Sequence, residues 1–299
     1  MTLATSWSAP RVGPKTATAL IMTAAVCFGS VPLFARTLTE AGVSSPAIAF
    51  YRFVFSLAIV CPFFPRSREK RRAALMATAA GLGVGLGWIG YLESLKVAPV
   101  AAAGVIYMSY PMFTVLFGWL LLGQRPSRRA GVASAMVLAA AALALSPGAV
   151  PVEAIPVLLT AFAAPVAFAV SIVVTIGMSN RLAPLERMSC ILLGAVLGLA
   201  PLIAVTDGID ALVPATPAAW PLVAGLALIT ATIPQSVYSF AAPRVGPART
   251  AMAGSFELPT MFAVGWLAFG ETASAIDIVS ASLVIGAIAL TPVAMPRAR

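Results

Sequence analysis

The sequence contains no histidine, and charged residues make up only 10% of its 299 residues. The missing histidine excludes His-ligated zinc sites, histidine general bases and histidine proton relays. The three cysteines lie in apolar segments, where they are too few for a disulfide framework and lack the spacing of metal ligands. Serine-nucleophile motifs and carboxylate pairs at helical spacing are missing too. We therefore expect no enzyme activity, no cofactor and no metal.

Apolar residues are abundant instead. They make up 60% of the chain, and the mean hydropathy is +0.98. Because a soluble domain carries about 25% charged residues, this chain has too few polar side chains to cover a water-exposed surface. The lipid bilayer is the expected solvent, and the chain is best divided into spans of about 20 residues.

Ten apolar segments predict ten transmembrane helices. The connections between them are short, as in a compact helical bundle. The predicted fold class is therefore an all-α integral membrane protein. The predicted spans are about residues 16–38, 46–64, 73–94, 99–122, 130–146, 155–178, 188–205, 218–240, 249–269 and 276–294.

The basic residues fall on one side of the predicted bundle. If the N-terminus is cytoplasmic, 16 of the 19 lysines and arginines lie in cytoplasmic segments, whereas the opposite loops hold mainly acidic residues. This is the positive-inside pattern, and it predicts that both termini are cytoplasmic. We interpret "RSREKRR" at 66–72 as a topology anchor and expect no nucleic-acid partner, despite the net charge of +9.

Short motifs recur in the same order in the two halves of the chain. We infer two five-helix repeats, residues 1–148 and 149–299, which have opposite topology because five is an odd number. Inverted repeats around a central cavity are typical of alternating-access transporters, although duplication can also simply enlarge a scaffold. The matching pairs are "KVAP" at 96–99 and "RVGP" at 244–247, "GWLLLGQ" at 118–124 and "GWLAFGE" at 265–271, and "ALALSP" at 142–147 and "AIALTP" at 287–292.

Two further patterns resemble a known family. P-x7-W-x3-G-Q begins at Pro111, P-x6-W-x3-G-E begins at Pro259, and "SSPAIAFYR" ends at Arg52. These motifs resemble the EamA-type carriers of the drug/metabolite transporter superfamily, and the resemblance covers the chain from Thr16 to Pro292. The second half departs from the first, because Cys190 stands where the first half has Arg52.

The resemblance implies a ten-helix carrier in the bacterial inner membrane. Members of the family export amino acids, amines and related metabolites, and one branch exports aromatic amino acids. We therefore expect a secondary transporter that exports small amphipathic metabolites, with aromatic amino acids as the first choice. A drug or organic-cation exporter is the alternative with the same fold, and a membrane enzyme or a scaffold is the alternative outside transport.

Prolines inside five of the predicted spans indicate bends in the helices. A proline within a helix has no N–H to offer the carbonyl four residues before it, and in lipid that carbonyl needs another partner. The bends either shape the bundle or line a central cavity that moves during transport. The prolines are Pro32, Pro111, Pro165, Pro234 and Pro259.

Polar and aromatic side chains cluster near these prolines and on the third span. Such groups converging on a mostly apolar cavity would suit an amphipathic organic molecule. The "GLGWIG" segment at 85–90 fits a dinucleotide motif only by chance, because it lies inside a helix, and we read its glycines as packing positions. The predicted cavity residues are Trp88, Tyr91, Tyr107, Tyr110, Gln235, Tyr238, Ser255 and Glu257.

Two ionisable residues lie inside predicted spans. Ionisable groups there mark functional sites by default. Glu257 can carry a coupling proton, bind a substrate ammonium group or hold a neighbouring helix. Arg52 can extend toward the outer surface or pair with Glu93. It can also act at the mouth of the cavity, where it holds either a substrate carboxylate or an outer gate.

Overall fold

The structure, a computed structural model, describes residues 13–146, 150–177, 181–214, 217, 219–245, 253–254 and 256–290. These residues form α-helices joined by short connections. The helices are α1 (Pro14–Gly29), α2 (Val31–Glu40), α3 (Ser45–Val60), α4 (Arg71–Val97), α5 (Val100–Tyr107), α6 (Tyr110–Leu122), α7 (Arg128–Ala144), α8 (Ile155–Ala161), α9 (Ala163–Gly177), α10 (Pro184–Thr206), α11 (Ala219–Ala227), α12 (Ile233–Val245), α13 (Glu257–Phe269) and α14 (Ala275–Leu290).

Seven helical segments of the described residues are long and apolar enough to cross a membrane. Two shorter apolar helices, α13 and α14, follow them in the chain. The predicted total of ten spans is not reached on these criteria and stays a prediction. The seven segments are Pro14–Glu40, Ser45–Phe63, Arg68–Val97, Val100–Leu122, Val152–Thr175, Pro184–Thr206 and Ala219–Val237.

Helix interruptions precede the five prolines singled out in the sequence. Each proline lies within the first three residues of the helix that follows the interruption, a position where proline is well tolerated. The interruption between α11 and α12 is the π-helical turn Leu228–Thr232. The interrupted pairs are α1 and α2 before Pro32, α5 and α6 before Pro111, α8 and α9 before Pro165, and α11 and α12 before Pro234, while Pro259 lies at the start of α13.

The glycines of α4 allow close packing on two sides. Gly81 and Gly85 contact Ile191 and Ala195 of α10 so closely that a Cβ would collide with the α10 backbone. Residue numbers rise together along both helices, so α4 and α10 run parallel. Small residues are what permit such backbone contacts between membrane helices.

The other face of α4 packs against α8 and α9. Gly87 lies against Ala163 and Gly90 against Thr160, again without room for a side chain. Here the residue numbers change in opposite senses, so α4 is antiparallel to this pair. The glycine motif of the third span therefore has a packing role, as the sequence indicated.

Helices α3 and α10 run in opposite directions. Ser44, just before α3, donates a hydrogen bond of 2.7 Å to Asp207, just after α10. At the other end of the bundle, Lys70 pairs with Glu186 at 2.7 Å. We call the end of the bundle with Ser44 and Asp207 the Arg36 end, because Arg36 lies on the same side. The opposite end is called the Lys70 end.

Helices α6 and α13 end in the same way. Gly123 and Gly270 follow them with positive φ angles of 67° and 64°. The N–H of Gln124 then donates to a carbonyl inside α6 at 3.2 Å, and the N–H of Glu271 to the equivalent carbonyl of α13 at 3.0 Å. These are glycine-capped helix ends, and they explain why the two sequence motifs share a glycine before Gln or Glu.

Candidate functional site

A cluster of six aromatic rings lies inside the bundle, and we call it the ring cluster. Its centroid distances run from 5.1 Å for Trp88–Tyr91 to 6.4 Å for Phe53–Trp88. Tyr107 is the centre of the cluster, in contact with four other rings. The six residues are Phe53, Trp88, Tyr91, Tyr107, Tyr110 and Phe168.

The ring cluster forms where helices are interrupted. Tyr107 ends α5 and Tyr110 begins α6, so the interruption before Pro111 turns both rings toward the same neighbours. Phe168 lies three residues beyond Pro165 and stacks on Tyr107 at 6.3 Å. Edge-to-face and offset ring pairs at these distances are favourable.

Arg52 is buried beside the ring cluster. Only 7% of the residue is exposed, and Cζ lies 4.0 Å from the ring centroid of Trp88. Nη2 donates a 2.8 Å hydrogen bond to the carbonyl oxygen of Thr230. Nε and Nη1 are buried and have no hydrogen-bond partner in the described part of the chain. The guanidinium is therefore stacked on an aromatic ring but only partly hydrogen-bonded.

The carbonyl of Thr230 is available to accept from Arg52 because of a nearby proline. Thr230 lies four residues before Pro234, which has no N–H to offer it. The π-helical turn leaves this carbonyl turned toward α3, where Arg52 reaches it. The neighbouring hydroxyl of Thr232 donates to Ser56, one turn along α3 from Arg52, at 2.9 Å. Interruption of the helix thus creates a small polar seam between α3 and the segment after α11.

The predicted pairing of Arg52 with Glu93 is wrong. Glu93 accepts from Lys96 at 2.7 Å on the exposed end of α4, whereas Arg52 points into the ring cluster. The alternative of an outward-extended Arg52 is also wrong, because its side chain is covered. Stacking on Trp88 and the free carbonyl of Thr230 hold the guanidinium inside instead.

Glu257 lies near the ring cluster at the start of α13. A side chain at Gly29 would collide with the Glu257 carbonyl oxygen, so Glu257 sits next to the interruption between α1 and α2. Its side chain is half-buried and lies within electrostatic range of Arg52, Tyr91 and Tyr107. The ion pairs recorded between described residues do not include Glu257 or Arg52. The two charges are therefore close enough to interact electrostatically, but they form no ion pair with each other.

The remaining predicted cavity residues are placed less centrally. Gln235 is exposed on α12, and the described ring contacts and hydrogen bonds do not join it to the cluster. The side chain of Tyr238 and residue Ser255 lie outside the described residues. The sequence interpretation missed Phe53 and Phe168, although Phe53 follows Arg52 directly and Phe168 lies one turn after Pro165.

A second arginine, Arg36, is fully engaged at the Arg36 end of the bundle. Nη1 pairs with Glu271 at 2.6 Å, Nε donates to the Leu95 carbonyl at 2.9 Å, and Nη2 donates to the Ala98 carbonyl at 2.7 Å. The Glu271 carboxylate also accepts from the N–H of Val100 at 2.9 Å. This network ties α2, α4, α5 and α13 together.

A pocket of 820 Å³ opens at the Lys70 end. It is lined mainly by apolar side chains from the end of α3, the start of α10 and α12, with Arg66 and Glu186 at its border.

Comparison with known proteins places the chain in a family. One solved structure, named only "Crystal structure of protein", matches with a TM-score of 0.62 and 20% identity, over 92% of this chain and 96% of that chain. At this identity the likeness shows a shared fold. The search of curated proteins found no match. The model of the EamA-like transporter family matches residues 15–146 and again residues 155–292. The chain therefore belongs to the EamA-like transporter family and is a multi-pass membrane protein with two copies of the family repeat.

Proposed function

We propose that the protein is a secondary transporter that exports amino acids or related small amphipathic metabolites by alternating access, with aromatic amino acids as the preferred substrates. The ring cluster is the observation that carries this proposal. It joins aromatic surface to the buried guanidinium of Arg52 and the carboxylate of Glu257 at the level where helices are interrupted. Apolar surroundings with a few convergent polar groups are typical of binding sites for such molecules.

The proposed architecture has ten spans in two inverted repeats around this site. Packing contacts recur in mirrored pairs: α4 packs on α9 as α12 packs on α1, and α6 packs on α9 as α13 packs on α1. Helices α3 and α10 pack on each other, as do α7 and α14. The antiparallel course of α3 and α10, which are equivalent helices of the two repeats, supports the inversion.

We place the Lys70 end in the cytoplasm of a bacterial cell, with the protein in the inner membrane. The loops at this end carry most of the basic residues, as the positive-inside rule requires. The Arg36 end carries acidic residues in its loops and at the adjoining helix ends: Glu40, Glu153, Asp207, Asp210 and Asp277. The pocket at the Lys70 end and the tied network at the Arg36 end suit uptake of substrate from the cytoplasm.

Counterflow in liposomes tests transport directly. Vesicles with purified protein and preloaded with unlabelled metabolite should accumulate labelled tryptophan or threonine, and empty vesicles should not. Trp88→Leu should lower this flux, because it removes a ring of the cluster. Trp119→Leu, at an exposed position outside the cluster, is the matched control and should retain the flux. Absence of flux for every compound in a broad metabolite panel would contradict transport.

Export of organic cations is the second candidate, and Glu257 is the observation that favours it. A half-buried carboxylate near aromatic rings can bind an ammonium group, since rings and carboxylates both attract cations. Flux of amines that exceeds flux of amino acids in the same liposomes would support this candidate over the first.

We also propose that Glu257 carries a coupling proton. An intramembrane carboxyl that forms no ion pair with other described residues is suited to exchange a proton during the cycle. Glu257→Gln removes the titratable group with little change in shape. Flux that keeps its full dependence on a pH gradient in this variant would rule out Glu257 as the proton carrier.

A further inference from the structure

Arg52 is the least satisfied buried charge in the described part of the protein. A guanidinium carries five N–H donors, and the three on Nε and Nη1 meet no acceptor among the described residues. A buried donor without a partner is costly, more so when it is charged. A buried group of this kind calls for a partner that the described residues do not supply.

The packing of the helices does not by itself require an arginine at this position. Cys190, which occupies the equivalent place in the second repeat, is fully buried against Ala73, Ala74 and Ala77 of α4. A small uncharged side chain therefore serves the equivalent helix contact. The charge of Arg52 is specific to the first half of the chain, which supplies five of the six rings of the cluster.

A second unsatisfied donor lies in the same cluster. The hydroxyl of Tyr91 is buried without a hydrogen-bond partner among the described residues, and the ring of Tyr91 lies 5.1 Å from that of Trp88, which stacks on Arg52. Two donors without acceptors converge on one region, so the missing partner is an acceptor. Glu257, the nearby carboxylate, forms no ion pair with Arg52 and accepts no hydrogen bond from the Tyr91 hydroxyl.

We propose that Arg52, assisted by the Tyr91 hydroxyl, binds the carboxylate of a zwitterionic substrate, and that the site thereby selects α-amino acids over amines. A carboxylate matches the planar fork of a guanidinium and forms charge-assisted hydrogen bonds with it. The substrate ammonium then faces Glu257, and its side chain packs on the ring cluster. The inference rests on the proposed transport function and identifies its substrate class.

Three labelled compounds with one indole ring test the assignment in liposomes: tryptophan, indole-3-propionate without the ammonium group, and tryptamine without the carboxylate. The unaltered protein should transport tryptophan better than tryptamine. Arg52→Gln should lower flux of tryptophan and of indole-3-propionate by about 30-fold or more, because truncating one partner of a buried charge pair has effects of this size. Flux of tryptamine should not fall.

The control variant is Arg36→Gln, which alters a paired arginine away from the ring cluster. It should change the flux of all three compounds by one common factor. Arg52→Lys should retain part of the preference for carboxylates, since the charge remains but the fork is lost, and it serves as the test if Arg52→Gln does not insert stably.

The outcomes separate the two proposals. If the unaltered protein transports none of the three compounds or of the metabolite panel, the transport proposal fails. If transport occurs but Arg52→Gln reduces all three fluxes equally, or tryptamine is transported as well as tryptophan by the unaltered protein, transport stands and the role of Arg52 is overturned.

Discussion

Arg36 and Arg52 are two arginines on neighbouring helices in opposite chemical situations. All three nitrogens of Arg36 have a partner, and its carboxylate partner Glu271 is itself held by a backbone N–H. Arg52 is more deeply buried but uses one nitrogen of three. A charge with a partner on each nitrogen stabilises a structure, whereas a charge with buried nitrogens that lack partners is available to a ligand. We therefore assign Arg36 to the fold and Arg52 to the substrate.

The largest expected effect is on stability when Arg36 is removed. Arg36→Met leaves Glu271 without its cation and two carbonyls without a donor, which should cost about 3 kcal/mol. Unfolding in an SDS titration of the purified protein measures this loss. The matched change Arg52→Met removes a poorly satisfied charge and should leave the unfolding free energy unchanged or slightly higher.

A loss of stability in Arg52→Met as large as that in Arg36→Met would break the comparison. It would show that stacking on Trp88 and the Thr230 hydrogen bond hold the bundle together. Arg52 would then be a structural residue, despite its free donors.

Helix α4 connects the two arginines, because it provides Trp88 to Arg52 and Leu95 to Arg36. Gly81→Ala should push α4 away from α10 and destabilise the protein by about 1–3 kcal/mol, as overpacking does. Gly83→Ala is the control on the same helix, since a Cβ there meets only ordinary contact. Equal unfolding midpoints for the two variants in detergent would show that α4 is not fixed by this packing.

Sequence patterns predicted the positions of the helices and their interruptions but not the partners of the charges. Apolar length and proline position act locally, so α3 and the interruption before Pro111 follow from the chain itself. The partner of Arg52 depends on a carbonyl 178 residues away, which no local pattern reveals. The depth of Glu93 in the predicted membrane favoured it as the partner of Arg52. In the structure Glu93 instead pairs with Lys96, one turn along the same helix.

Glu271→Gln should have a smaller effect on stability than loss of Arg36. A glutamine keeps an oxygen for the N–H of Val100, as Gln124 at the equivalent position of the first repeat would allow, but it loses the charge that pairs with Arg36. We expect a cost of about 1–2 kcal/mol, in the range of a hydrogen bond to a charged group, from the same SDS titration. A cost equal to that of Arg36→Met would mean that the carboxylate, rather than the carbonyl partners, holds Arg36.

The smallest expected effect concerns Glu93. Its pair with Lys96 is exposed, so Glu93→Gln should change the unfolding free energy by less than about 1 kcal/mol. It should also leave the ratio of tryptophan to tryptamine flux unchanged, because Arg52 does not touch Glu93. A shift in that ratio would restore Glu93 as a partner of Arg52.

The most direct test of the different roles of the two arginines is the thermal stabilisation of the purified protein by tryptophan. A ligand that binds only the folded state raises the unfolding midpoint with concentration. Tryptophan should raise the unfolding midpoint of the unaltered protein. Arg36→Met should have a lower midpoint without ligand but show the same rise with tryptophan. Arg52→Met should have an unchanged midpoint without ligand and show no rise. An increase that survives in Arg52→Met and disappears in Arg36→Met would contradict the assignment of Arg52 to the substrate.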